Sequence, residues 1–132
     1  MIAFHIYAGI VEASLKTRRT FSQAHAAPIS LPWIHILLTL TDGVRHGYGI
    51  MREVEARTEG HVMLWPATLY GAIRRMQEEG LVTEVEPPRD AEDQRRKYYQ
   101  LTSLGRRVLA GEVGRLEDVV SLARKRNILG AR

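Results

Sequence analysis

The chain has 132 residues, no cysteine, 45% hydrophobic residues and a formal net charge of +4. That length and apolar content support one modest core, and the missing thiols exclude a disulfide framework and a thiolate metal site. The basic excess is no immediate warrant for a polyanionic partner: residues 1–30 carry three basic and one acidic side chains and residues 102–132 seven and three, whereas residues 31–101 carry nine basic against eleven acidic.

Residues 1–15, MIAFHIYAGIVEASL, are apolar, but no Lys or Arg precedes Lys16, and His5 and Glu12 interrupt the run. They do not read as a secretory leader, and no segment has the roughly 18 apolar residues of a transmembrane helix. A cytoplasmic protein without a membrane partner is expected. Ile2, Ile6, Ile10 and Leu15 fit one stripe of an amphipathic helix, and residues 16–29 read as an irregular connector.

From Ser30 the punctuation becomes regular. SLPWIHILLTLTDG offers Ser30 as N-cap, Pro32 in the first turn, an apolar set at Leu31, Ile34, Leu37, Leu38 and Leu40, and Gly43 as a stop. HGYGIMREVEARTEG predicts a second helix with Tyr48, Met51 and Val54 on one side and Gly60 at its end. Its two early glycines mark a place where the backbone passes close to a neighbour. HVMLW, residues 61–65, is short and β-prone and predicts a small strand. WPATLYGAIRRMQEEGL predicts a third helix, with Pro66 at its first position, Leu69, Ala72, Ile73 and Met76 inward, and Gly80 as terminator. Thr68, Tyr70, Gly71, Arg74, Arg75 and Glu78 are left on the outside or the flanks.

LVTEVEP and RRKYYQLT, separated by the polar PRDAEDQ, predict a β-hairpin with a long loop. Thr102 then caps a last helix to about Arg126, in which Leu109, Val113, Leu116, Val120 and Ala123 form a heptad seam. The order helix, helix, helix, hairpin, helix is a winged helix-turn-helix with an added long helix: mainly α with a small β-wing. An N-terminal helix and connector (1–29), a winged helix-turn-helix domain (30–102) and a C-terminal dimerisation helix (103–132) follow.

LLTLTDGVRHGYGIMREVEARTEG, PATLYGAIRRMQEEGLV and RRKYYQLTSLGRRVL together resemble the PadR family of bacterial transcriptional regulators. The matching positions are His46, Gly47 and Tyr48; Pro66, Thr68, Leu69 and Tyr70; Glu78 to Leu81; and Arg96 to Thr102, so the resemblance covers about residues 31–126. It implies a homodimeric, sequence-specific repressor of cytoplasmic location, without cofactor, that binds a pseudo-palindromic double-stranded operator and answers to a small hydrophobic effector. Two positions depart from the family pattern. Trp65 stands where a small capping residue is usual, and Asp90, Glu92 and Asp93 occupy a wing loop that is commonly glycine-rich and basic, where they would repel phosphate.

A recognition helix enters the major groove with its N-terminal turns nearest the bases. On that geometry Pro66, Thr68 and Tyr70 approach bases or phosphates, Arg74 reaches a guanine edge and Arg75 lies beside it. A local reading stays open, in which Thr68 caps, Tyr70 packs under the wing and the two arginines pair with Glu78 and Glu79. His46 and Tyr48 contact the DNA backbone, or else are a turn histidine and a core tyrosine. Strict alternation in RRKYY puts Arg95, Lys97 and Tyr99 on the face of Leu101 and Arg96 and Tyr98 on the other. Arg95, Arg96 and Lys97 are all assigned to DNA, Arg96 foremost, with Lys97 snorkelling outward.

The seam from Leu109 to Ala123 is a sticky face that dimerisation covers, setting the recognition helices roughly 34 Å apart. Trp33 and Trp65, with Met51 or Met63, are candidates for an effector cavity at the dimer interface, against a purely structural role. Enzyme signatures are missing: there is no nucleophile elbow or phosphate-cradling glycine loop, and His5, His25, His35, His46 and His61 lack metal-ligand spacing. The competing function is a winged-helix adaptor that binds protein instead of DNA, which the acidic wing favours.

Overall fold

A computed structural model describes residues 28–130; the expected helix of residues 1–15 and the connector after it lie outside the described residues. The elements in chain order are α1 (Leu31–Thr39), a 3-10 turn (Leu40–Asp42), β1 (Arg45–His46), α2 (Gly47–Arg57), α3 (Pro66–Glu78), β2 (Val82–Val85), β3 (Tyr98–Leu101) and α4 (Ser103–Lys125). This is the mainly helical winged fold that the punctuation implied. Among the described residues no helix is long and apolar enough to cross a membrane.

Local chemistry sets the boundaries. Ser30 Oγ accepts the Trp33 N–H at 3.4 Å, and Gly43 stops the first helical segment at a φ of 136° that side chains rarely adopt. Gly80, at φ 78°, ends α3, and the Leu81 N–H beyond it donates back to the Met76 carbonyl at 2.8 Å. Trp65 supplies no side-chain cap to α3, so that helix relies on Pro66 and on its packed face. Leu69, Ala72, Ile73 and Met76 are buried as their spacing predicts, against Ile36, Leu37, Leu40, Ile50, Val54 and Leu81.

Three expectations change. HVMLW forms no strand; the His61 N–H donates to the Thr58 carbonyl and the Val62 N–H to Thr58 Oγ1, at 3.0 and 3.1 Å, so its first two amides are taken by a local turn. The third strand is Arg45–His46 instead, which takes the open edge of the hairpin to give the order β1-β3-β2. In α2 the inward residues are Gly47, Ile50 and Val54, and Tyr48 is 45% exposed, because its ring engages two guanidinium groups outside. In α1, Ile36 is fully buried while Leu31 and Leu38 face out, since the 3-10 turn brings Leu40 under the core and fixes the helix rotation.

The junction of α3, β2 and α4 is tight. Thr102 Oγ1 donates to the Gly80 carbonyl at 2.6 Å and accepts the Gly105 N–H at 2.9 Å. The first turns of α4 bury Val108, Leu109 and Glu112, the last paired with Arg115 at 2.9 Å. Leu109 of the seam is thus used by its own domain. Val113, Leu116 and Val120 remain 39 to 40% exposed.

A Cβ on Gly105 would collide with the Leu81 carbonyl oxygen, whereas one on Gly111 of the same helix meets nothing within 4 Å. Alanine raises helix stability by up to about 1 kcal/mol where it fits, and a backbone clash costs roughly 1–3 kcal/mol. Urea unfolding should therefore show Gly105→Ala destabilised and Gly111→Ala unchanged or stabilised; two substitutions of the same sign would contradict this packing.

Candidate nucleic-acid interface

The wing is held to the start of α2 by a bridge in which Arg45 pairs with Tyr99 and His46 with Tyr98. His46 then serves as N-cap of α2 through its ring, Nδ1 accepting the Gly49 N–H at 2.9 Å. The same nitrogen lies 3.3 Å from Nη1 of Arg96. Both neighbours only donate, so Nδ1 is the acceptor and the ring proton of neutral His46 sits on Nε2. Burial, and then the Arg96 charge, hold the imidazole below the ordinary histidine value, with Asp93 pulling weakly the other way. The ring also meets Tyr98 edge-on at 5.4 Å and stacks on Tyr48 at 6.5 Å.

Tyr48 faces two cations: the Arg96 guanidinium is 5.3 Å from its ring centre and that of Arg52 is 5.7 Å away. Its hydroxyl accepts from Arg52 Nη1 at 3.2 Å. Arg96 in turn pairs through Nε with Asp93 at 3.4 Å. Residues 94–97 precede the strand, so the period-two rule does not govern Arg95, Arg96 and Lys97. Arg96 nonetheless lies on the side of Tyr98 and His46, while Lys97 lies with Tyr99 in the cleft beyond.

That cleft, about 500 Å³, opens between α3, the start of α2 and the foot of the wing. Arg74 and Gln77 form the helix wall, Lys97 and Tyr99 the wing wall, and no acidic residue lines it. At its floor Tyr70 lies across Gly47: a Cβ there would sit 2.5 Å from the Tyr70 hydroxyl. Gly49 similarly leaves room for the His46 ring, 3.3 Å from where a Cβ would be. These are the close neighbours that the two glycines of HGYG announced. Tyr99 is buried, and that burial, followed by Glu84 and Tyr70, pushes its hydroxyl above the ordinary tyrosine range.

His46, Tyr48, Tyr70, Arg74, Arg96 and Lys97 are therefore brought together, and Pro66 and Thr68 are exposed on the first turn of α3. Arg75 is not brought in; its guanidinium sits 5.8 Å from the Trp33 ring on α1. Arg95 is 94% exposed and tied to Asp93. Trp33 is half-buried and Trp65 is 65% exposed, and neither borders this cleft. Arg52 and Gln77 join the site without having been singled out in the sequence. The spacing of Arg52 four residues after Tyr48 was a usable signal.

The model of the transcriptional regulator PadR-like family matches residues 36–111. An uncharacterized protein of Lysinibacillus sphaericus is 32% identical over 75 residues, covering 57% of this chain and 68% of that protein. Among solved structures, a PadR family transcription regulator from Clostridium difficile R20291 has a TM-score of 0.62 at 24% identity, covering 73% of this chain and 97% of that one. Bacillus subtilis PadR in complex with operator DNA has a TM-score of 0.55 at 20% identity, covering 64% of this chain and 47% of that one. At these identities the two structures establish the winged fold.

His35 on α1 is also held below the ordinary value, by burial and then by Arg57, whose Nη2 donates to the His35 carbonyl at 3.0 Å. A lowered folded-state value means that the unfolded chain binds the proton more readily. Both contributions are therefore full above pH 6.5, the ordinary value, and are lost as pH falls below it. The melting temperature should drop between about pH 7.5 and about pH 5, and drop less in His46→Asn, which keeps a capping oxygen that does not titrate. An equal drop in both proteins would show that His46 carries none of the effect.

Proposed function

The chain belongs to the PadR-like family of transcriptional regulators, a family of regulators and not of enzymes, and from that premise we propose that it is a sequence-specific DNA-binding repressor acting as a homodimer. The observation that carries this reading is the cleft in which Arg74, Arg96 and Lys97 converge without an acidic neighbour in its lining. A basic groove between recognition helix and wing suits a phosphodiester strand, while the exposed outer face of α3 suits base edges. The operator complex of Bacillus subtilis PadR supports the same assignment by likeness of fold.

Dimerisation rests on α4. Val113, Leu116, Val119 and Val120 are all at least 39% exposed on one stretch of helix, more apolar surface than a helix leaves to water without a partner. A two-fold axis through that stripe would set two recognition helices toward successive major-groove faces, the arrangement that matching half-sites require. Relief by a small hydrophobic ligand rests on the family resemblance, with the exposed indole of Trp65 as a stacking surface.

The exposed Asp90 and Glu92 on the wing loop favour a second reading, an adaptor that binds protein. Gel-shift titration against the DNA upstream of its own gene separates the two. Arg74→Ala should cost about 1–3 kcal/mol of operator affinity and relax sequence preference, while Arg96→Ala should weaken all duplexes alike and flatten the salt slope by about one unit. Wild-type protein with no salt-sensitive binding would move the assignment to the adaptor. Sedimentation of Leu116→Asp should give monomers; an unchanged mass would remove the seam as the dimer contact.

A further inference from the structure

We propose that Asp93 is a positioning residue for DNA binding: from the wing loop its carboxylate holds the Arg96 guanidinium in place, so that an acidic residue strengthens the hold on a polyanion. This rests on the DNA-binding reading above and deepens it. Charge counting gives the opposite sign, since an acid on the wing repels phosphate.

The geometry separates Asp93 from its acidic neighbours. Its Oδ1 accepts the Arg95 backbone N–H at 2.9 Å, and its backbone carbonyl accepts the Tyr98 hydroxyl at 3.2 Å, so the carboxylate is itself fixed. Oδ2 meets Nε of Arg96 at 3.4 Å. The guanidinium is then held on three sides: by Asp93 at Nε, by His46 at Nη1, and by the Tyr48 ring on one face. None of these contacts engages Nη2, and the side chain stays 41% exposed. The Arg95 amide and the two guanidinium groups keep the Asp93 carboxyl below its usual range, so it is charged at neutral pH. Asp90 and Glu92, in the same loop, have no ion-pair partner within 4 Å among the described residues.

An arginine has several rotatable bonds to immobilise when it meets a phosphate, and one already held loses less on binding. The Asp93 charge opposes this by repulsion, which salt screens over about 8 Å at physiological ionic strength. With two guanidinium groups against one carboxylate, the cluster of Asp93, Arg95 and Arg96 keeps a net positive charge and as a whole does not repel DNA.

Fluorescence anisotropy titrations of an operator duplex at several salt concentrations test the proposal. Asp93→Asn should bind roughly two- to five-fold more weakly than wild type, the range an exposed ion pair transmits, and Asp93→Glu should recover part of the loss. Asp90→Asn, which removes the same charge without a pairing partner, should bind equally or more tightly. In an Arg96→Ala background Asp93→Asn should cause no loss, because nothing is left to position. The proposal is overturned if Asp93→Asn binds as tightly as wild type or tighter, or if it weakens binding equally without Arg96. Failure of the wild-type protein to bind any duplex is a different result: it sinks the DNA-binding reading itself, and the positioning role with it.

Discussion

The bridge between Arg45–His46 and Tyr98–Tyr99 is the contact on which the rest of the interface depends. It is only two residue pairs long, and in isolation would be too short to persist. It persists because its residues are committed on both sides. Tyr98 and Tyr99 are buried, β2 pairs along the whole of β3, and His46 spends its ring nitrogen on the first turn of α2. One histidine thus closes the sheet edge, caps the helix and receives the wing arginine. The wing cannot swing independently of the helix-turn-helix without breaking all three.

A second constraint is steric. Gly47 admits the Tyr70 ring onto the backbone of α2, and Gly105 admits α4 onto the Leu81 carbonyl. The first fixes the distance between α2 and α3, and so the depth of the cleft. The second fixes the direction in which α4 leaves the domain. Neither glycine is needed for a positive φ. Both are needed because another group occupies the space of a side chain.

The electrostatics of the site are local. Residues 31–101 carry more acid than base, yet the cleft lining contains cations and no carboxylate. The segment reconciles these by position: Glu84 lies across the ladder from Tyr99 but outside the cleft lining, and Asp93 is engaged by arginines. Net charge averages over surfaces that DNA or any other partner would meet one at a time. A near-neutral segment can therefore present a basic groove.

The sequence by itself determined the elements whose causes are local. Ser30, Thr102, Gly43 and Gly80 mark helix ends because capping and left-handed turns need only their neighbours. The buried set Leu69, Ala72, Ile73 and Met76 was legible because a helix repeats its contacts every three or four residues. The family motifs were legible for the same reason, being short and contiguous. Tertiary structure alone decided what depends on residues far apart in the chain. A two-residue strand has no period to read, so Arg45–His46 emerges only when β3 is beside it, and HVMLW, with good strand propensity, is drawn at its start into the turn that Thr58 closes. Tyr48 turns outward because Arg96, remote in sequence, arrives with the wing, and Arg75 turns away from the cleft because Trp33 waits on α1. Asp93 looks repulsive in a string of charges and becomes a partner only when the loop folds its carboxylate onto Arg96: propensity acts along the chain, whereas the sign of a charge's effect depends on what is brought within a few ångströms of it.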